Sequence, residues 1–217
     1  MPEIIVAAGT NGAGKSSIVQ PFLEGLEEPY FNPDQHTREL VRLGIPEAEA
    51  NARAWQVGRD RLRDAVDQNR SYAFETTLGG HTIAFELMRA LAFGRTVNIL
   101  FIGLSSVDLH IRRVAARVAR GGHDIPDETI RKRYDDSRTN LLAFIGTRAW
   151  IRVWDNSEES ADGAPSGARQ IFDVRGSRLV LPPKASTDPE AMPVWARPLL
   201  GQALKLGLSR APSSTGK

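Results

Sequence analysis

The run Glu3-Ile4-Ile5-Val6-Ala7-Ala8-Gly9-Thr10-Asn11-Gly12-Ala13-Gly14-Lys15-Ser16-Ser17 decides the fold. Glu3 to Ala8 is a short apolar run ending on glycine, the pattern of a buried strand. It passes into Gly9-x-x-x-x-Gly14-Lys15-Ser16, which fits G-x-x-x-x-G-K-[ST], and a helical pattern follows. Glycines in such a turn let backbone N–H groups face inward as an anion nest, and the start of the helix adds partial positive charge. Lys15 then reaches the β- and γ-phosphates and Ser16 ligates Mg²⁺. Gly9, Thr10, Asn11, Gly12, Ala13, Gly14, Lys15, Ser16 and Ser17 are the expected nucleotide contacts, with ATP and Mg²⁺ as cofactors.

Outward from this loop, strand and helix patterns alternate. A helix is expected from Gly14 to about Glu27 with a kink at Pro21, then a weak strand at 29–31. The pattern predicts a long helix over 46–70, with Ala54, Gly58, Leu62 and Ala65/Val66 on one face. Ser71 to Glu75 reads as a strand, 80–93 as a helix and Thr96 to Gly103 as the clearest strand. Ser105 is the expected N-cap of a helix running to Gly121-Gly122, with Asp108 completing a short capping box. Another helix is expected from Pro126 to about Ile145. Strands follow at 150–155, 169–174 and 178–181, the last two as a hairpin. The alternation predicts an α/β fold, a P-loop NTPase three-layer sandwich with a mainly parallel central sheet and an Arg-bearing helical lid. Six of the 13 prolines lie between Pro182 and Pro212. Residues 1–181 therefore read as the P-loop domain, and 182–217 as a Pro-rich extension that wraps the surface and ends in disorder.

Composition narrows the function. The chain of 217 residues is 41% hydrophobic and 25% charged, an ordinary globular balance. The absence of cysteine excludes disulfides, Cys-ligated zinc and thiol catalysis. No apolar run is long enough to span a membrane, and the start lacks a basic n-region, so a cytoplasmic protein is expected. A net charge of +2, from 28 basic and 26 acidic residues, is too balanced to point to nucleic acid.

A switch GTPase needs an N-K-x-D element, and none is present. No apolar run ends in paired acids of the hydrolytic kind. The acids at strand ends, Asp34 and Glu75, are isolated, which suits a kinase, where one carboxylate faces an acceptor hydroxyl. Asp34, after Asn32-Pro33, reads either as a helix N-cap or as that general base. Glu75-Thr76-Thr77 reads either as a helix start or as a carboxylate and hydroxyl that orient the acceptor or hold Mg²⁺ through water. Arg113, Arg117 and Arg120 flank the apolar stripe Val107, Ile111, Val114 and Val118. They form either a solvated face or a phosphate clamp on a lid hinged at Gly121-Gly122. In the next helix Ile130, Tyr134, Leu141 and Phe144 form the core stripe. Arg133, Ser137 and Asn140 lie on its margin and need partners.

GTNGAGKSS, the NPD turn, FETTL, RVARGGHDIP with the following RKRY…S…N, and the late WDNS together resemble the zeta toxin family of P-loop kinases. The resemblance covers about residues 3–181. It implies transfer of phosphate from ATP, with Mg²⁺, to the sugar of a nucleotide-sugar of the UDP-N-acetylglucosamine type, and leaves two readings of the partner open, a separate antitoxin or none. By similarity Asp34 is the catalytic base and Glu75 and Thr76 contact the acceptor. Arg117, Arg120 and Arg133 belong to the phosphate clamp with Lys15, His123 to the acceptor side, and Asn156 to the adenine contact. Two other readings stand beside this one. A kinase acting on a nucleic-acid end would need a basic track with aromatic stacking. An ATP-binding regulatory module would use the segment after Leu181 to hold a partner.

Overall fold

The computed structural model describes residues 2–24, 29–161, 163–180, 192–207 and 209–211. Its elements are β1 (Glu3–Ala8), α1 (Lys15–Val19), α2 (Pro33–Arg42), α3 (Glu47–Asp67), β2 (Tyr72–Thr76), α4 (His81–Ala92), β3 (Thr96–Gly103), α5 (Val107–Val118), α6 (Asp127–Leu142), β4 (Trp150–Asp155), β5 (Arg169–Arg175), β6 (Arg178–Val180), α7 (Arg197–Lys205) and β7 (Ser209–Ala211). They build one seven-stranded sheet of order β2-β1-β3-β4-β5-β6-β7. The four strands β2, β1, β3 and β4 are parallel, and β5–β6 form the expected hairpin. In this register Ala8 pairs with Thr76 and Gly103 with Asp155. The carboxyl ends of four strands therefore share one edge, where open α/β sheets bind their ligands.

Alternation along the parallel strands divides the core. Ile4, Val6, Phe74, Ile99, Phe101, Ile151 and Val153 face the layer that supplies Leu62, Leu87, Leu141 and Leu199 from α3, α4, α6 and α7. Ile5, Ala7, Ala73, Leu100 and Ile102 form a smaller core on the other face with Val19 of α1. The face read from Ala54, Gly58, Leu62 and Val66 is the buried face of α3. Gly58 is needed there, because a Cβ would lie 2.8 Å from the Phe31 ring.

Several local expectations are corrected. The first helix stops at Val19 and continues as a 3₁₀ turn over Gln20–Phe22. Pro21 has no N–H to offer the Ser17 carbonyl, so the α ladder ends there; Leu23 and Glu24 are not helical, and the remainder of the expected helix, to about Glu27, lies outside the described residues. The weak strand at 29–31 is a single bridge between Phe31 and Phe74. Asp34 is not an N-cap: Asn32 accepts the Gln35 N–H at 3.1 Å and caps α2, with Pro33 at the first helical position. The cap of α5 is Ser106, which accepts the Leu109 N–H, one residue later than expected. No helix begins at Thr76 or Thr77; their hydroxyls accept the N–H groups of Leu78 and Gly79 in two small turns before α4.

The described part of the 182–217 segment sends one face of α7 and Trp195 into the core rather than only wrapping the surface. Trp195 is 2% exposed, and Leu199, Leu200 and Ala203 of α7 are buried with it. The indole packs against Phe101 and Gly103 and donates to Asp155 at 3.2 Å. A proline-rich stretch hides this from composition alone, since the apolar residues sit between the prolines at helical spacing. The expected disordered end, from 212 onward, lies outside the described residues.

Candidate nucleotide and acceptor site

Geometry at the end of β1 explains each glycine of the loop. Gly9 passes so close to β3 that a Cβ would sit 2.1 Å from the Ile102 carbonyl oxygen. Gly12 and Gly14 hold φ of 81° and 84°, the left-handed region where glycine alone is unstrained. Lys15, 5% exposed, extends back along the loop, its Nζ 3.4 Å from both the Thr10 carbonyl oxygen and Glu75 Oε1.

Glu75, the penultimate residue of β2, organises this end of the cleft. Its Oε2 accepts from Ser16 Oγ at 2.8 Å and from Tyr30 Oη and Asn32 Nδ2 at 3.1 Å each. Asn32 thus caps α2 with its oxygen and holds Glu75 with its nitrogen. Burial pushes the Tyr30 phenol well up from 10, and the Glu75 charge adds to the effect, so Tyr30 remains a donor. Tyr30 and Asn32 were not picked out from sequence; an aromatic and an amide just before the N-P-D turn were the available signal.

One cavity of about 880 Å³ runs from Asn11 and Lys15 past Asp34 and Glu75 to Trp55 and Arg59 on α3. Asp34, in the first turn of α2, pairs with Arg117 Nη1 of α5 at 3.0 Å. Arg117 Nη2 donates to the His123 carbonyl at 2.9 Å, while its buried Nε has no partner among the described residues. Arg133 of α6 donates to Asn11 Oδ1 at 2.9 Å; burial lowers its pKa, opposed by the charge of Asp34. The other margin groups also find partners: Ser137 Oγ lies 3.2 Å from Thr10 Oγ1, and Asn140 donates to the Leu78 carbonyl at 2.8 Å. His123 and Thr76 line the cavity, and His123 Nδ1 lies against Glu47 of α3.

Three expected residues sit elsewhere. Arg120 is exposed, donates to the Ala116 carbonyl of α5 and does not line the cavity; it lies in the turn just past the end of α5 at Val118. Ser17 is exposed on α1 and, like Ser16, is not part of the cavity lining, but only Ser16 bonds Glu75 of the cleft. Asn156 is not open to an adenine: it is 5% exposed and donates from Nδ2 to the Ala13 carbonyl at 2.9 Å, behind the loop. Arg113 is no lid residue either, since its Nη1 donates to the Asn156 carbonyl at 2.8 Å.

The Lys15 and Arg133 nitrogens are donors of the kind that would meet a triphosphate. Ser16 Oγ and Glu75 Oε2 are adjacent oxygens of the kind Mg²⁺ takes.

No protein-family model matches the chain. An uncharacterized protein of Haemophilus influenzae is 28% identical over 132 residues, covering 61% of this chain and 92% of that protein. Among solved structures, a chain of the AvrRxo1-ORF1:AvrRxo1-ORF2 complex with sulphate ions superposes at a TM-score of 0.62 and 15% identity, over 83% of this chain and 61% of that one. This chain therefore spans about three fifths of that relative's length. The same complex with ATP gives a TM-score of 0.62 at 15% identity, over 83% of this chain and 60% of that one. The PezAT chromosomal toxin–antitoxin system of Streptococcus pneumoniae matches at a TM-score of 0.50 and 17% identity, over 77% of this chain and 72% of that one. At these identities the likeness is one of fold. The α/β architecture with a mostly parallel sheet is the one this chain shares with these solved structures. No helix among the described residues is long and apolar enough to cross a membrane.

Proposed function

We propose that the protein is an ATP-dependent kinase that phosphorylates a hydroxyl of a small metabolite. The observation that carries this reading is one cavity with Lys15 on one wall and Asp34 on another, with Arg133 beside them. Arg117 reaches the same place through its pair with Asp34.

In this reading the loop amides and Lys15 bind the phosphate chain. Ser16 and Glu75 hold Mg²⁺, which supplies charge neutralisation on the phosphates when bound. Arg117 and Arg133 stabilise the charge of the transferring group. Asp34 accepts the proton of the acceptor hydroxyl. The hydroxyl oxygen forms its bond to the γ-phosphorus as the bond to the β–γ bridging oxygen breaks, and ADP leaves. Asp34 is bound to Arg117 before the reaction, so Arg117 has to shift towards the phosphate for Asp34 to serve the hydroxyl.

The cavity is far larger than a hydroxyl and a phosphate need, and it continues to Trp55, 45% exposed, with Arg59 stacked over its ring at 5.0 Å. This room supports an acceptor of nucleotide-sugar size, as the zeta toxin resemblance implies. Under the same reading the protein acts in the cytoplasm and a separate antitoxin is its partner.

The test is incubation with γ-labelled ATP and a metabolite extract, followed by identification of the labelled product. Asp34→Asn should lose a factor of about 10² to 10⁴ in turnover while keeping its ATP affinity. Lys15→Ala should transfer almost no label. Equal labelling by wild type and Lys15→Ala would refute the proposal.

A further inference from the structure

Two side chains outside the glycine-rich motif grip the loop from behind. His110 of α5 is 1% exposed, and its Nδ1 lies 2.8 Å from the Asn11 carbonyl oxygen. A carbonyl only accepts, so Nδ1 carries the proton. Asn156, just after β4, donates from Nδ2 to the Ala13 carbonyl at 2.9 Å. The peptide unit is planar and trans, so a C=O and the N–H of the next residue point in opposite directions. A donor that draws the Asn11 carbonyl outward turns the Gly12 N–H inward. A donor on the Ala13 carbonyl does the same for the Gly14 N–H.

The glycines give a second, independent observation. A Cβ on Gly12 would lie 2.8 Å from the His110 carbonyl oxygen, and one on Gly14 would lie 2.6 Å from Asn156 Nδ2. The two glycines therefore press their bare side against the same two residues that bond the neighbouring carbonyls. We propose that His110 and Asn156 are positioning residues of the phosphate-binding loop, which aim the N–H groups of Gly12 and Gly14 at the phosphate chain. The proposal rests on the kinase reading above and extends it to residues that touch no substrate.

The surroundings keep both donors in place. Arg113 bonds the Asn156 and Glu158 carbonyls at 2.8 and 3.4 Å, which fixes the Asn156 backbone. Tyr134 meets the His110 ring edge-on at a centroid distance of 5.5 Å. Burial, helped by the nearby charges of Lys15, Arg113 and Arg138, lowers the His110 pKa to about 4, against the effect of the Asn11 carbonyl bond. The ring is neutral near pH 7, so its effect on the loop is by hydrogen bonding and not by charge.

The experiment compares His110→Phe and Asn156→Leu, which lack the donor, with His110→Asn, which keeps one at the position of Nδ1. Affinities for ATP and for inorganic tripolyphosphate are measured by calorimetry, with melting temperatures and acceptor KM alongside. Each donor-less variant should lose about tenfold or more in affinity for both probes, the scale of a hydrogen bond to a charged group. His110→Asn should stay within about threefold of wild type, well inside that loss, and acceptor KM should not move. Lower melting temperatures with unchanged tripolyphosphate affinity would mean a structural role only and would overturn the inference. If His110→Phe does not fold, Asn156→Leu and His110→Asn still decide it. Wild-type protein that binds neither probe would end the kinase reading and this inference together. Wild-type binding with equal binding by the donor-less variants would end this inference alone.

Discussion

Glu75→Gln isolates the ion pair at the centre of the site. The amide keeps the shape of the carboxylate but removes its charge. It leaves Lys15, 5% exposed, without the counter-ion that stands 3.4 Å away. Removing one partner of a buried pair costs about 3–5 kcal/mol. The Glu75 side chain is 13% exposed, which favours the lower end, about 3 kcal/mol. For a chain of this size each kcal/mol moves the melting temperature by roughly 2–4 °C, so a fall of roughly 9 °C is expected. A triphosphate restores the missing negative charge. ATP in metal-free buffer with chelator should therefore raise the melting temperature of the variant by more than that of wild type. The assay is thermal denaturation of both proteins with and without ATP. A ligand-free variant that melts within about 2 °C of wild type, or equal ATP increments for the two proteins, would show that Lys15 does not depend on Glu75.

Trp195→Ala tests whether the segment after 191 belongs to the core. Truncating a buried Trp costs about 3–5 kcal/mol, or roughly 10 °C here, and a surface-wrapping segment would show almost none of this in a melting curve. Arg117→Ala should lose tenfold or more in turnover, on the order of one charge-assisted bond, whereas Arg120→Ala should stay within about threefold of wild type, because that loss does not apply to a residue outside the cavity; the reverse ranking in a steady-state assay would move the clamp to the end of α5. His110 makes stability depend on pH. Its folded pKa is about 4 and its unfolded value 6.5, so the unfolded chain takes up the proton first as pH falls. Stability should drop by about 3 kcal/mol between pH 6.5 and 4, level off below, and lack this component in His110→Asn. Urea denaturation of both proteins at pH 7 and 4.5 would check it, and equal slopes would exclude a buried neutral histidine.

The parts of the fold that follow from local pattern were legible before any coordinates. An apolar run, a glycine turn and a lysine placed the loop between β1 and α1, because the backbone conformation there admits little else. Period and spacing gave the buried face of α3, the strands of the parallel sheet and the β5–β6 hairpin. Where a single residue decides a boundary, pattern was weaker. Asn32 caps α2, the place that one of the two readings gave to Asp34, and Ser106 takes the cap expected of Ser105, since neighbouring polar residues have similar capping preferences and only backbone direction separates them.

Candidate residues could be named from sequence, but their arrangement could not. Of those named, Lys15, Asp34, Glu75 and Arg133 line the cavity, and Ser16 and Arg117 bond to residues that do. Sequence alone could not tell that Glu75 accepts from Ser16 and Tyr30, that Asn156 stands behind the loop and not over an adenine, or that Arg120 faces water. The Glu75 and Asn156 outcomes depend on contacts between residues 45 to 143 positions apart, made only when parallel strands bring distant turns to one edge of the sheet. Local chemistry determined a glycine turn with a lysine after β1, the pattern on which the proposed phosphate binding rests. The tertiary fold decided which carboxylate, which arginines and which buried imidazole stand around it, because no short-range preference encodes the meeting of separate strand ends.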